Sequence, residues 1–214
     1  MSSNCSPGAR ASGSSPVLPL NAPGALVLAP QEAAEELTLR GRPGAAGALV
    51  VIDGATGAGK TQLASRVLTR LRQQGYQAAV LSTDLLVPGW DGLAEGVSRT
   101  AALLGALAGG QDGHAPTWDW QQMAPGDELC LRPLAGGVLV VEGSGALAAA
   151  AQDLRPLRVV RVLVEAPQSL RHARIAARDS YTWDVEAWQW QEERQRARWQ
   201  QQAAWWPEVL VRHA

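Results

Sequence analysis

The chain contains no phenylalanine and a single lysine, Lys60; the other cations among its 19 lysine and arginine residues are all arginine. Together with abundant alanine and glycine, this reads as a coding bias toward Ala, Gly and Arg. One lysine kept against that bias is informative, because arginine cannot everywhere replace a compact ammonium charge. Cysteine is also scarce. Cys5 and Cys130 lie far apart without metal-ligand spacing, so neither a disulfide framework nor a cysteine metal motif is expected. Cys130 reads as a small apolar packer. The three histidines, His114, His172 and His213, are scattered, and no zinc site is suggested by the sequence. No apolar run approaches the roughly 20 residues a membrane helix needs. A net charge of −1 gives no reason to expect nucleic acid as a partner. The N-terminal stretch has one basic residue, Arg10, and its apolar part is cut by Pro16, Pro19 and Pro23, a poor signal peptide. A cytoplasmic location is the default expectation.

With 46% apolar and 18% charged residues over 214 positions, the chain can bury one good-sized core. Residues 1–30, rich in Ser, Gly, Pro and Ala, read as a disordered leader before a single domain over 31–214. Gln31–Arg40 fits a short helix ended by Gly41 and Pro43. Thereafter short apolar runs alternate with helical periods. Strands are expected at Ala48–Ile52, Ala78–Leu81, Val138–Val141, Val159–Val164 and Glu208–Val211. Helices are expected at Thr61–Gln74, Gly92–Leu107, Gln168–Arg178 and Val185–Gln202. This alternation implies an α/β fold, a five-stranded parallel sheet with helices on both faces. Gly109–Gly137 has few regular signals and reads as an insertion over the site.

Gly54–Thr61 spells GATGAGKT, the phosphate-binding pattern G-x-x-x-x-G-K-[ST], between an expected strand and an expected helix. Glycines let the backbone turn its N–H groups inward as an anion nest, and the helix N-terminus adds positive potential. Gly54, Ala55, Thr56, Gly57, Ala58, Gly59, Lys60 and Thr61 are therefore the expected ATP-binding set. Lys60 would reach the β and γ phosphates and the Thr61 hydroxyl would meet Mg²⁺. A GTPase needs a further lysine to read guanine, and the chain has none. Motor ATPases show an acidic pair after the third strand, where VLVVEGSG offers Glu142 alone. A small-molecule kinase remains.

IDGATGAGKT, STDLLVPGWDGL, TWDW, VLVVEGSGAL, EAP and RHARIAARD together resemble the uridine kinase-like branch of P-loop nucleoside kinases, small actinobacterial members especially. The resemblance covers roughly Leu49 to Val211. It implies a three-layer α/β/α sandwich and transfer of the ATP γ-phosphoryl group to a hydroxyl acceptor. Asp84 matches the carboxylate that faces the acceptor hydroxyl, although the family often has two acids where this chain has Thr83-Asp84. Glu142 matches the carboxylate that holds Mg²⁺ through water. Arg174 and Arg178, and less closely Arg171, match a lid over about residues 171–184 that closes on ATP. Trp90, Trp118 and Asp119 match acceptor-side positions.

Plainer readings stand beside these. Asp84 can be a turn or cap residue, Glu142 an exposed strand end, and the arginines a solvated helical face. Trp183, Trp188, Trp190, Trp199, Trp205 and Trp206 read as packing in place of phenylalanine, and Asp53 as a partner for local backbone. The expected function is an ATP-dependent kinase of a nucleoside or related alcohol. The alternatives are a kinase of a sugar, vitamin precursor or antibiotic, and an ATP-binding regulatory protein without useful turnover. The oligomeric state is not legible in the sequence.

Overall fold

Strand β2, Ala48–Gly54, is buried along its whole length. A strand covered on both faces must be apolar on both, which is why it reads as a continuous run rather than an alternation. Leu49 and Val51 point into one hydrophobic core, while Ala48, Val50 and Ile52 point into another on the opposite side of the sheet. The first core is completed by α3 (Leu93–Ala108) and α4 (Ala146–Ala149), the second by α1 (Pro30–Arg40) and α2 (Lys60–Gln73). The result is a three-layer α/β/α sandwich.

The computed structural model describes residues 22–214. Its parallel sheet has six strands rather than the expected five. With β1 (Leu26–Leu28), β3 (Ala78–Ser82), β6 (Val138–Glu142), β7 (Arg158–Glu165) and β8 (Val209–Arg212), the order is β1-β8-β7-β2-β6-β3. The additional strand comes from the expected leader, where Leu26–Leu28 pairs with Val209–Val211 at the sheet edge. Three residues after a Pro/Gly stretch give too short a signal to read. The expected leader therefore gives way by Ala22, and Cys5 and residues 1–21 lie outside the described residues.

Gly109–Gly137 is not irregular. It contains an antiparallel ribbon, β4 (Gly113–Asp119) with β5 (Ala124–Leu131), whose alternation is obscured by Pro116, Pro125 and Gly126 and by a register shift between Pro116 and Trp118. Leu129 and Leu131 pack toward the core, so Cys130 between them is exposed, contrary to its reading as a packer. The helices α5 (Gln168–Arg178) and α6 (Val185–Trp199) follow β7. Among the described residues no helix is long and apolar enough to cross a membrane.

Since β2 lies at the centre of both cores, truncation there should be costly. Ile52→Ala should destabilise by about 3 kcal/mol. Val80→Ala, on an edge strand where the side chain is 48% exposed, should cost under about 0.5 kcal/mol. Paired denaturant titrations would measure both.

Candidate active site

The chain enters the site where β2 ends. Gly54 lies so close to β7 that a Cβ would stand 2.4 Å from the Val164 carbonyl oxygen. Gly57, at φ +81°, lets α5 pack directly on the loop: a Cβ there would be 2.6 Å from Arg171 O. The loop turns its carbonyls outward, and each has a donor. Gly54 O and Ala55 O accept from Lys60 Nζ at 2.8 and 3.3 Å. Thr56 O accepts from Arg171, and Gly57 O and Ala58 O from Arg174 Nη1 at 3.1 and 3.0 Å. Gly59 O accepts from Leu63 N. The N–H groups of Gly57, Gly59, Lys60 and Thr61 meet no protein acceptor among the described residues. Unpartnered amides around a left-handed turn at a helix N-terminus are a nest suited to phosphate oxygens.

The loop opens onto a cleft of about 730 Å³ bordered by the ends of β2, β3 and β6 and by α5. This is the carboxyl edge of the sheet, where parallel α/β folds place ligands. Asp84 and Glu142 both line the cleft. Asp84 sits in a short 3-10 turn, Thr83–Leu86, after β3. Water reaches it through the cleft, but protein surrounds it otherwise, and this desolvation pushes its carboxyl above the ordinary range. Lys60 and Arg178 oppose the rise, and Glu192 adds to it. Glu142 is 4% exposed at the end of β6 and accepts the Thr61 hydroxyl at 3.1 Å. Burial raises its carboxyl too, against Lys60 and hydrogen bonds from Ser82 and Thr61. A hydroxyl, two carboxylates and room for water form the hard-oxygen donor set that suits Mg²⁺.

Asp53 plays the structural part expected of it. Its Oδ1 accepts from Gly54 N at 2.6 Å and Gly145 N at 3.1 Å, and its Oδ2 from Leu147 N at 2.9 Å, tying β2 to the turn after β6. The two arginines expected in a lid differ in their partners. Arg174 is occupied by the loop carbonyls and by His213 Nδ1, 3.1 Å from its Nη2. Arg178 lines the cleft, held by both oxygens of Asp179.

The aromatic wall differs from expectation. Trp90 lines the cleft, whereas Trp118 and Asp119 do not. Trp118 packs by Gly89, and Asp119 Oδ1 accepts from Gln121 N and Gln122 N to close the ribbon turn. Trp120 faces the cleft instead, its Nε1 donating to Asp84 O at 2.8 Å. Two tryptophans read as packing, Trp183 and Trp188, also line it. Trp183 stacks on Trp90 at 5.0 Å, and Trp120 meets Trp90 edge-on at 4.9 Å.

Glu192 of α6 is a site residue the sequence reading missed. It is 9% exposed, and its Oε1 accepts from Thr56 N, Thr56 Oγ1, Ser144 Oγ and Trp188 Nε1 at 2.9, 2.8, 2.6 and 3.0 Å. One carboxylate oxygen thus joins the phosphate loop, the turn after β6 and the tryptophan wall. In the sequence only its place four residues after Trp188, on one helical face, set it apart.

No family model matches the chain, and no curated protein does. Among solved structures, a possible uridine kinase from Bacillus stearothermophilus superposes with a TM-score of 0.54 at 18% identity, over 85% of this chain and 98% of that one. At this identity the likeness is one of fold, a three-layer α/β/α sandwich. A candidate fructose transport system kinase from Silicibacter sp. TM1040 matches with a TM-score of 0.48 at 16% identity, over 83% and 98% of the two chains.

Removing Glu192 leaves several buried donors without an acceptor. Glu192→Ala should destabilise by about 2–3 kcal/mol, and Glu192→Gln, which keeps one acceptor oxygen, by less than half as much. Thermal unfolding of the two variants would separate them.

Proposed function

We propose that the chain is an ATP-dependent kinase that phosphorylates a hydroxyl group on a small molecule with a flat or apolar face. The observation that carries this reading is one cleft joining the unpartnered amides of Gly57, Gly59, Lys60 and Thr61 to two carboxylates, Asp84 and the buried Glu142, and an aromatic wall.

In this reading the loop amides and Lys60 hold the β and γ phosphates. Lys60 would exchange its bonds to Gly54 O and Ala55 O for phosphate oxygens, a short movement of a flexible side chain. Thr61 and Glu142 would hold Mg²⁺, which neutralises charge on the phosphates when bound. Asp84 would orient the acceptor hydroxyl and take its proton as oxygen bonds to phosphorus, while Arg178 would face the charge spreading over the transferred group. The bond from the γ phosphorus to the bridging oxygen breaks, and ADP carries away the electron pair.

Trp90, Trp120, Trp183 and Trp188, packed on one another, would present one aromatic wall to the acceptor body. Their indole N–H groups do little to read it: Trp120 donates to Asp84 O, Trp183 to Asp179 and Trp188 to Glu192. Stacking therefore outweighs hydrogen-bond readout on this wall. A nucleoside base meets that requirement, and so does another ring-bearing alcohol.

ADP release should be stimulated by one class in a panel of nucleosides, nucleoside monophosphates, sugars and cofactor precursors. Lys60→Ala should abolish it, and Asp84→Asn should lower turnover by about 10²-fold or more with ATP saturation little changed. Stimulation that survives Asp84→Asn unaltered would remove that residue from the chemistry. No stimulation by any acceptor would favour a nucleotide-binding protein without turnover.

The pH profile has a defined sign. Asp84 must be ionised to accept a proton, and its carboxyl is raised. Turnover should therefore rise with pH through a limb lying above the ordinary carboxylate range. Glu142, raised as well, acts in the same direction through Mg²⁺. A pH–rate profile whose acid limb falls at or below pH about 4 would contradict the Asp84 assignment.

A further inference from the structure

Outside the cleft, the exposed face of the β4–β5 ribbon gathers four side chains that ligate or support metals. His114 and Cys130 are register partners across the two strands. Asp112 lies two residues before His114, and Glu128 two before Cys130, so the period of the pleat brings all four to one side. Ala115, Leu129 and Leu131 take the other side, against the core. In the sequence His114 and Cys130 are 16 residues apart, which is why they read as scattered.

The distances suit a single ion. Cys130 Sγ lies 3.8 Å from His114 Nε2. One ligand atom from each of Asp112, His114 and Cys130 lies within 4.8 Å of the others. A tetrahedral zinc ion with ordinary bond lengths sets its sulfur and nitrogen about 3.6 Å apart, so small side-chain rotations would close the site. Behind the imidazole, Glu128 Oε2 is 3.3 Å from His114 Nδ1. A carboxylate at Nδ1 fixes the tautomer that leaves the Nε2 lone pair for a metal.

We propose that this ribbon face binds a zinc-class transition ion through Cys130 Sγ, His114 Nε2 and the Asp112 carboxylate, with water in the fourth position and Glu128 orienting His114. A thiolate and an imidazole select such an ion over Mg²⁺ or Ca²⁺, which prefer oxygen. The site is thereby distinct in chemistry from the one formed by Thr61 and Glu142. Bound there, the ion would staple β4 to β5 at the base of the ribbon whose far end delivers Trp120 to the cleft.

Cobalt tests this directly, because a thiolate bound to Co²⁺ produces a charge-transfer band in the near ultraviolet. Titrating the metal-free full-length protein with Co²⁺ should develop that band to saturation at one equivalent, and Zn²⁺ should bleach it. Cys130→Ser should abolish the band, His114→Ala should weaken binding at least tenfold, and Glu128→Gln should weaken it by about tenfold. Cys5→Ser should leave it unchanged. No thiolate band in the wild-type protein, a band lost with Cys5→Ser, or a band whose midpoint is unmoved by His114→Ala would each overturn the proposal. The affected side chains are exposed, so loss of fold does not confuse the outcome.

Discussion

A loop that turns its amides inward to face an anion must turn its carbonyls outward, and outward carbonyls left without donors would relax the loop. In this chain six successive carbonyls, from Gly54 to Gly59, are each satisfied, by Lys60, Arg171, Arg174 or the first turn of α2. The cradle is therefore maintained from behind by Arg171 and Arg174, which keep their carbonyls when Lys60 turns to a ligand. That explains why α5 packs against the loop at Gly57 and why Asp53 and Glu192 brace it from two further sides. Preorganised amides need no rearrangement when negative charge arrives, which is the main electrostatic resource of a phosphoryl-transfer site.

The same bracing joins the two halves of the cleft. α6 carries Glu192 onto the phosphate loop, Trp188 into the aromatic wall and Gln191 onto Trp90 O at 2.7 Å. A helix with charged and polar residues on most faces would be a weak element alone; here its buried contacts, Trp188 and Glu192, are those that touch the site. Its stability and the geometry of the cleft therefore rest on the same few hydrogen bonds.

Much of this was legible in the sequence because the phosphate loop leaves little freedom. Ala48–Ile52 had to be a buried strand, a helix had to follow the loop (expected from Thr61, it begins at Lys60), and the apolar runs that followed had to be parallel strands, as the sheet confirms. The ribbon was not legible, because Pro116, Pro125 and Gly126 hide its period. Trp118 and Trp120 are two residues apart, so alternation could not choose between them, and Trp120 stands in the turn just after β4. Trp183 and Trp188 pack as read, in a cluster with Val87 and Leu93, but composition alone did not show that this cluster also borders the cleft. Glu192 was missed because its partners lie 136 and 48 residues away, beyond any local pattern.

Equilibrium binding of ATP with Mg²⁺, measured by calorimetry on the full chain and on Lys60→Ala, tests the central claim most directly. One saturable site per chain, weakened about tenfold or more by loss of the lysine's charge-assisted contacts, is the predicted result. No binding, or equal affinity in the variant, would contradict the assignment of Gly54–Thr61 as a nucleotide-phosphate cradle.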